Sequence, residues 1–154
     1  MNPIRLAGLA LLVAAISCSD ATAPRHQLAD LAAARQRWRA QNLHAYAFTL
    51  QRSCFCGNVH PLYVLVLSDT VAGALDLTTG EFVDQRLGET VEGLFTVIQK
   101  AIERPAQLIR AEYDAGKGFP TEIDYDGAAL IADDEISYRA SDVHTVTPSS
   151  ALRY

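Results

Sequence analysis

The chain predicts an α+β fold, with an antiparallel sheet and two helices packed on one face, in the order helix, strands, helix, strands. Three observations carry this. Two stretches repeat their apolar residues at helical spacing, and others alternate with a period of two. The alternating stretches are joined by short turns, which suit antiparallel pairing, whereas parallel pairs need long crossovers.

The first helix is expected over roughly Gln27 to Gln41. Leu28, Leu31, Arg35 and Trp38 recur at near-helical spacing, and Ala32 to Ala34 favour helix. Arg35, Arg37 and Arg39 surround Trp38. They read either as a basic patch facing membrane phosphates or, more plainly, as a solvated helix face with Trp38 in the core. From Ala45 the period becomes two, with Tyr46, Phe48 and Leu50 on one strand face. Leu62 to Leu67 is a dense apolar strand, and a short third strand around Ala74 to Leu77 runs into the turn at Thr79-Gly80. In the second helix Val91, Leu94, Phe95, Ile98 and Ile102 form a narrow stripe. Thr90 is its expected N-cap and Pro105 its stop. Three strands follow: one with Ile109, Ala111 and Tyr113, one with Phe119, Thr121, Ile123 and Tyr125 inward, and one with Ile136, Tyr138 and Ala140. The six tyrosine and phenylalanine positions Tyr46, Phe48, Tyr63, Tyr113, Tyr125 and Tyr138 are expected mostly in the core.

The N-terminus carries a targeting signal. Arg5 precedes an apolar run from Leu6 to Ile16, and Ala15-Ile16-Ser17 leads into Cys18. The run is about half of the roughly 20 residues that span a bilayer. The four residues Ala15-Ile16-Ser17-Cys18 resemble a bacterial lipoprotein box. That resemblance implies cleavage before Cys18, a diacylglycerol on its sulfur and often a third acyl chain, of the palmitate type, on its amine. Two or more chains anchor firmly where one does not. Ser19, by resemblance to enterobacterial sorting, favours the outer over the inner membrane. The expected organisation is therefore a signal peptide at 1–17, a lipidated cysteine and tether at 18–26, one domain at 27–144 and a polar tail at 145–154. The net charge of −5 becomes about −6 without Arg5. An acidic chain argues against nucleic acid or anionic lipid as the main partner.

Two constellations bear on chemistry. With Cys18 lipidated, Cys54 and Cys56 remain as a pair in an oxidising compartment. On an extended strand their Cα atoms stand about 6.5–7 Å apart, at the upper edge of disulfide geometry, so a bond needs the bend that Gly57 and Pro61 favour. A local structural disulfide leads, while a redox dithiol, metal thiolates and free thiols stay open. His44 and His60 would complete a two-sulfur, two-nitrogen metal set, although the spacing matches no finger pattern. The second constellation is acidic. Glu122, Asp124 and Asp126 share the outer face of one strand, and Asp133, Asp134 and Glu135 begin the next. Asp126, Asp133, Asp134 and Glu135 are candidate calcium ligands, without the order of an EF-hand. Neither a glycosidase carboxylate pair nor a serine in a nucleophile elbow is legible, so no enzyme and no cofactor is expected.

Trp38, Tyr46-Ala47-Phe48, Cys54-Phe55-Cys56, Val91-Glu92-Gly93-Leu94-Phe95, Tyr113-Asp114, Gly118-Phe119-Pro120-Thr121 and Ile131-Ala132-Asp133-Asp134-Glu135 together resemble the DUF6174 group of small bacterial lipoproteins and secreted proteins. The resemblance implies an envelope location and brings no activity, substrate or catalytic residue. The expected function is a non-enzymatic envelope lipoprotein that binds or assembles with another envelope protein, held to the membrane through Cys18. The alternatives are a thiol–disulfide protein using Cys54 and Cys56, and a calcium-stabilised module.

Overall fold

Alanine-rich sequence with a proline in its first turn, where a missing amide hydrogen does no harm, forms helix α1 over Ala23–Ala40. The structure, a computed structural model, describes residues 23–54, 60–104, 108–126 and 135–147. Ala23 to His26, read from sequence as tether, are helical. Asn42 stops the helix in a left-handed conformation (φ 52°), with its amide donating to the Arg39 carbonyl. Leu31, Ala34 and Trp38 form the buried stripe. Leu28 is exposed instead and Arg35 half-buried, because the stripe turns about the axis by helical geometry and passes through Ala34.

Strands β1 (Ala45–Ser53), β2 (Leu62–Leu67), β3 (Thr70–Asp76) and β4 (Phe82–Val83) form a meander. A short 3-10 turn, Gln85–Leu87, leads to α2 (Val91–Glu103), and β5 (Leu108–Tyr113), β6 (Pro120–Asp126) and β7 (Glu135–Thr145) form a second meander. All join one antiparallel sheet in the order β4-β3-β2-β1-β7-β6-β5. The last strand thus inserts beside the first and welds the two meanders together. Ser68 and Asp69, both with positive φ, make the two-residue turn between β2 and β3, the twist that hairpins favour.

Both helices cover one face. Tyr46, Phe48 and Leu50 of β1 stand across from Val66, Val64 and Leu62 of β2, and all six are buried. Val91, Leu94, Phe95 and Ile98 of α2 close over them at 0 % exposure. Thr90 caps α2 as its sequence predicts, its hydroxyl accepting the Gly93 amide at 2.9 Å. Tyr46 supplies a second partner that local sequence cannot reveal, its hydroxyl accepting the Val91 amide at 3.1 Å. Burial pushes that hydroxyl up to about 12, so it stays protonated through the physiological range. Of the remaining tyrosines expected in the core, Tyr63, Tyr113, Tyr125 and Tyr138 are half-buried, since strands covered on one side leave the phenol end near water.

Besides a register shift between β5 and β6 at Glu112 and Tyr113, two bulges shape the β7-β1-β2-β3 part of the sheet. One lies in β7 opposite Phe48, between the pairs Ala47–His144 and Thr49–Ser141, with Asp142 at φ 57°. The extra residue keeps both Ala140 and Val143 buried and sends His144 to the outer face. The other interrupts the β2–β3 ladder between Leu65 and Val66.

Candidate apolar groove on the uncovered sheet face

The outer face divides into two halves of different chemistry. Over β5, β6 and β7 it is ionic. Arg139 reaches Glu122 at 3.0 Å and Asp124 at 2.9 Å, and Arg110 pairs with Glu112 at 2.6 Å. The hydrogen bond it shares with Asp124 pushes the Glu122 carboxyl up. Burial pushes Asp124 upward too, but hydrogen bonds from Arg139 and Glu122 outweigh it and hold that carboxyl low. Two members of the acidic face read from sequence are therefore occupied by arginine.

Over β2, β3 and β4 the face is apolar and concave. Tyr63, Leu65, Gly73, Leu75, Phe82 and His144 are among the residues that line a groove of about 390 Å³. Gly73 forms open floor, since a Cβ built there meets nothing within 4 Å. A glycine inside a strand commonly marks close approach by a ligand or another backbone. Phe82 is 66 % exposed. At the other wall the His144 Nδ1 donates to the Asp142 carbonyl, which leaves Nε2 as the acceptor facing the Tyr63 hydroxyl at 3.5 Å. Sequence reading placed the third strand at Ala74–Leu77 and so missed Thr70–Gly73. The signal was present in Val71-Ala72-Gly73-Ala74, but small residues carry little period-two contrast.

At one end of β3 the carboxylate of Asp76 is 4 % exposed. His60 Nδ1 donates to it at 2.8 Å, and the Thr78 and Thr79 amides donate at 2.8 and 3.1 Å. The His60 bond, foremost, holds the carboxyl below its ordinary range against the opposing effect of burial. A lowered folded pKa means stability that is present above the ordinary carboxylate pKa and lost as pH falls through the lowered value. Asp76→Asn is thus expected to flatten the acid limb of a Tm-against-pH curve below about pH 4 while lowering Tm near neutrality.

The candidate site residues read from sequence disperse. Cys54 follows β1, half-buried, with its Sγ accepting from Arg52 Nε at 3.4 Å, while Cys18 and Cys56 lie outside the described residues. His44 precedes β1 and donates to Asp69 at 2.9 Å, whereas His60 precedes β2 at the opposite end of the hairpin. Nine residues of strand, about 30 Å, separate His44 from Cys54, so they cannot share one metal. Asp126 ends β6 and pairs in register with Glu135 at the start of β7, and Asp133 and Asp134 lie outside the described residues. Among the described residues no three of His, Cys, Asp or Glu are grouped to hold a metal ion. No described helix is long and apolar enough to cross a membrane.

A model described as a family of unknown function (DUF6174) matches residues 30–145, from within α1 to the end of β7. The chain belongs to this family. Comparison with curated proteins and with solved structures gives no match. In this DUF6174 chain Trp38, Tyr46 and Phe48 form one aromatic cluster, Trp38 edge-on to Tyr46 and Tyr46 tilted against Phe48, with centroids 5.1 and 6.0 Å apart. Gly118 brings the β5–β6 turn against α1. Those motif residues are architectural, and the groove is built from others.

Proposed function

We propose that this DUF6174 protein is a lipid-anchored, non-enzymatic protein of the bacterial cell envelope, more plausibly at the outer than the inner membrane, which binds an apolar segment of another envelope component. The observation that carries the binding reading is the groove floored by Gly73 and walled by Phe82 and Tyr63. Aliphatic and aromatic walls around a few polar groups suit an extended or acyl-like apolar ligand. The test uses Gly73→Leu. The new side chain enters open space, and removing a strand glycine is expected to leave stability unchanged or raise it by about 0.5–1 kcal/mol. Crosslinked partner recovery in mild detergent should fall to background for Gly73→Leu and for Phe82→Glu alike. Wild-type recovery with both variants would end this reading.

The anchor is tested separately. Cys18→Ala is expected to move the protein from the membrane to the soluble envelope fraction, and unchanged fractionation would refute lipidation.

A second reading, thiol–disulfide exchange, draws on Cys54 being disulfide-bonded, with Cys56 as the proposed partner. The proposal prefers a structural role for that bond. A reduction potential below about −300 mV fits such a role, and one near −120 to −200 mV would favour redox chemistry instead.

A further inference from the structure

The overall acidity of the chain hides a segregation of charge. Helix α1 carries Arg25, Arg35, Arg37 and Arg39 against Asp30 alone, a net charge of +3 in a chain of −5. In the adjoining span of α2 and its C-cap, Glu92 and Glu103 balance Lys100 and Arg104. The negative excess of the chain therefore lies outside the two helices.

The solvent face of α1 is shaped for contact with a flat surface. Ala29, Ala32, Ala33 and Gln36 lie exposed along it, flanked by exposed Arg25, Arg37 and Arg39. Arg39 is tied to Glu92 at 3.0 Å, whereas Arg25 and Arg37 make no ion pair among the described residues. Beside this face a groove of about 410 Å³ runs between the helices, with Leu28 and Leu31 in its floor and Arg35 and Arg39 on its rim. Apolar floor and guanidinium rim match a headgroup region, where phosphates stand above the first methylenes.

We infer that α1 and the groove beside it dock onto the anionic phospholipid surface of the membrane that holds Cys18. The inference rests on the anchor reading for the membrane's location. Four residues separate Cys18 from Ala23, and the five Cα–Cα steps reach at most about 18 Å. The helix therefore starts no farther than a little over two Debye lengths from the lipid phosphates, about 8 Å each at physiological salt. With a net charge of +3 on α1 and the negative excess outside the helices, the α1 face is the one drawn to an anionic surface. Docking by that face turns the groove of β2, β3 and β4 away from the membrane, where a partner can reach it. The acidity that argues against an anionic partner for the whole chain thus orients the domain on one.

The test uses the full chain with Cys18→Ser, so that no acyl chain contributes, and sediments it with two kinds of vesicle. One is phosphatidylcholine alone and the other contains about one-third phosphatidylglycerol. The apolar leader contributes equally to both. The expected result is tighter binding to the anionic vesicles, lost on Arg25→Gln with Arg37→Gln. Each arginine near a charged surface is worth about five-fold in affinity, so the pair should cost roughly 25-fold. Both side chains are exposed, and an unchanged thermal melt of the double variant shows that the fold is kept. Equal binding to the two vesicles, or a double variant that binds like its parent, would overturn the inference. Arginine-dependent binding to duplex DNA without preference for phosphatidylglycerol would overturn it as well. Because every protein in this assay lacks the cysteine, failure of lipidation at Cys18 cannot mimic these outcomes. Cell fractionation reads the anchor, and vesicle charge reads the helix.

Discussion

Gly118→Ala is expected to destabilise the domain by about 2–4 kcal/mol, read as a lowered urea midpoint with an unchanged m-value. Two separate effects add at this position. Gly118 has φ 85°, in the left-handed region where an L side chain is strained by about 1–2 kcal/mol. It also presses the β5–β6 turn against α1, and an added Cβ would stand 2.4 Å from the Ala34 carbonyl oxygen and 3.0 Å from the Trp38 amide nitrogen. Both are backbone atoms of a helix and cannot rotate aside. Gly80 separates the two effects. It has a similar φ of 73°, but a Cβ there meets nothing within 4 Å. Gly80→Ala should therefore lose only about 1 kcal/mol. If the two substitutions proved equal, contact between the turn and α1 would not be what holds Gly118. The turn is otherwise well made, with the Asp114 carboxylate accepting the Gly116 amide and the Asp114 carbonyl accepting the Gly118 amide.

Phe95→Ala should have an effect of comparable or larger size, about 3–5 kcal/mol. Phe95 is fully buried at the centre of the α2 stripe. Its ring stacks on Tyr113 of β5, with centroids 6.2 Å apart, and the Arg35 guanidinium of α1 lies 5.3 Å from its centroid. One ring thus joins both helices to the sheet edge, and its removal opens a cavity on three elements at once. The measurement is a thermal or urea melt beside Phe82→Ala. Phe82 is mostly exposed, so its truncation should stay within about 0.5 kcal/mol. A small loss at Phe95 would mean that the helices and the sheet do not share one core. Arg35→Met, which keeps the stem and removes the charge, should cost about 1 kcal/mol, from the lost contact with the ring together with the lost ion pair to Glu92 and hydrogen bond to Gln99.

Much of the framework was legible because its signals are local. The stripe Val91, Leu94, Phe95 and Ile98 and the cap at Thr90 lie within one helix, and the structure shows both where expected. The alternation names the covered face in β2, and in β1 through Tyr46, Phe48 and Leu50, although Ala47 on the other face is buried as well. Signals weakened where local sequence was neutral. Small residues hid the first half of β3, and β7 runs five residues past Ala140 because a bulge at Asp142 resets its inward phase.

Sequence by itself therefore determined the class of the fold, the helix stripe and the faces of the strands. Each depends on periodicity or composition within a few residues. Tertiary structure alone decided that β7 lies beside β1, pairing Tyr46 with Thr145 across almost one hundred residues of chain. No local propensity encodes such a pairing, since its loop-closure entropy is offset only when both meanders and both helices bury one core together. The same assembly brings Gly73, Phe82 and His144 to one groove and sets the four arginines of α1 on the opposite layer. Groove and cationic helix are properties of how faces are stacked, and a chain read along its length has no faces until it folds.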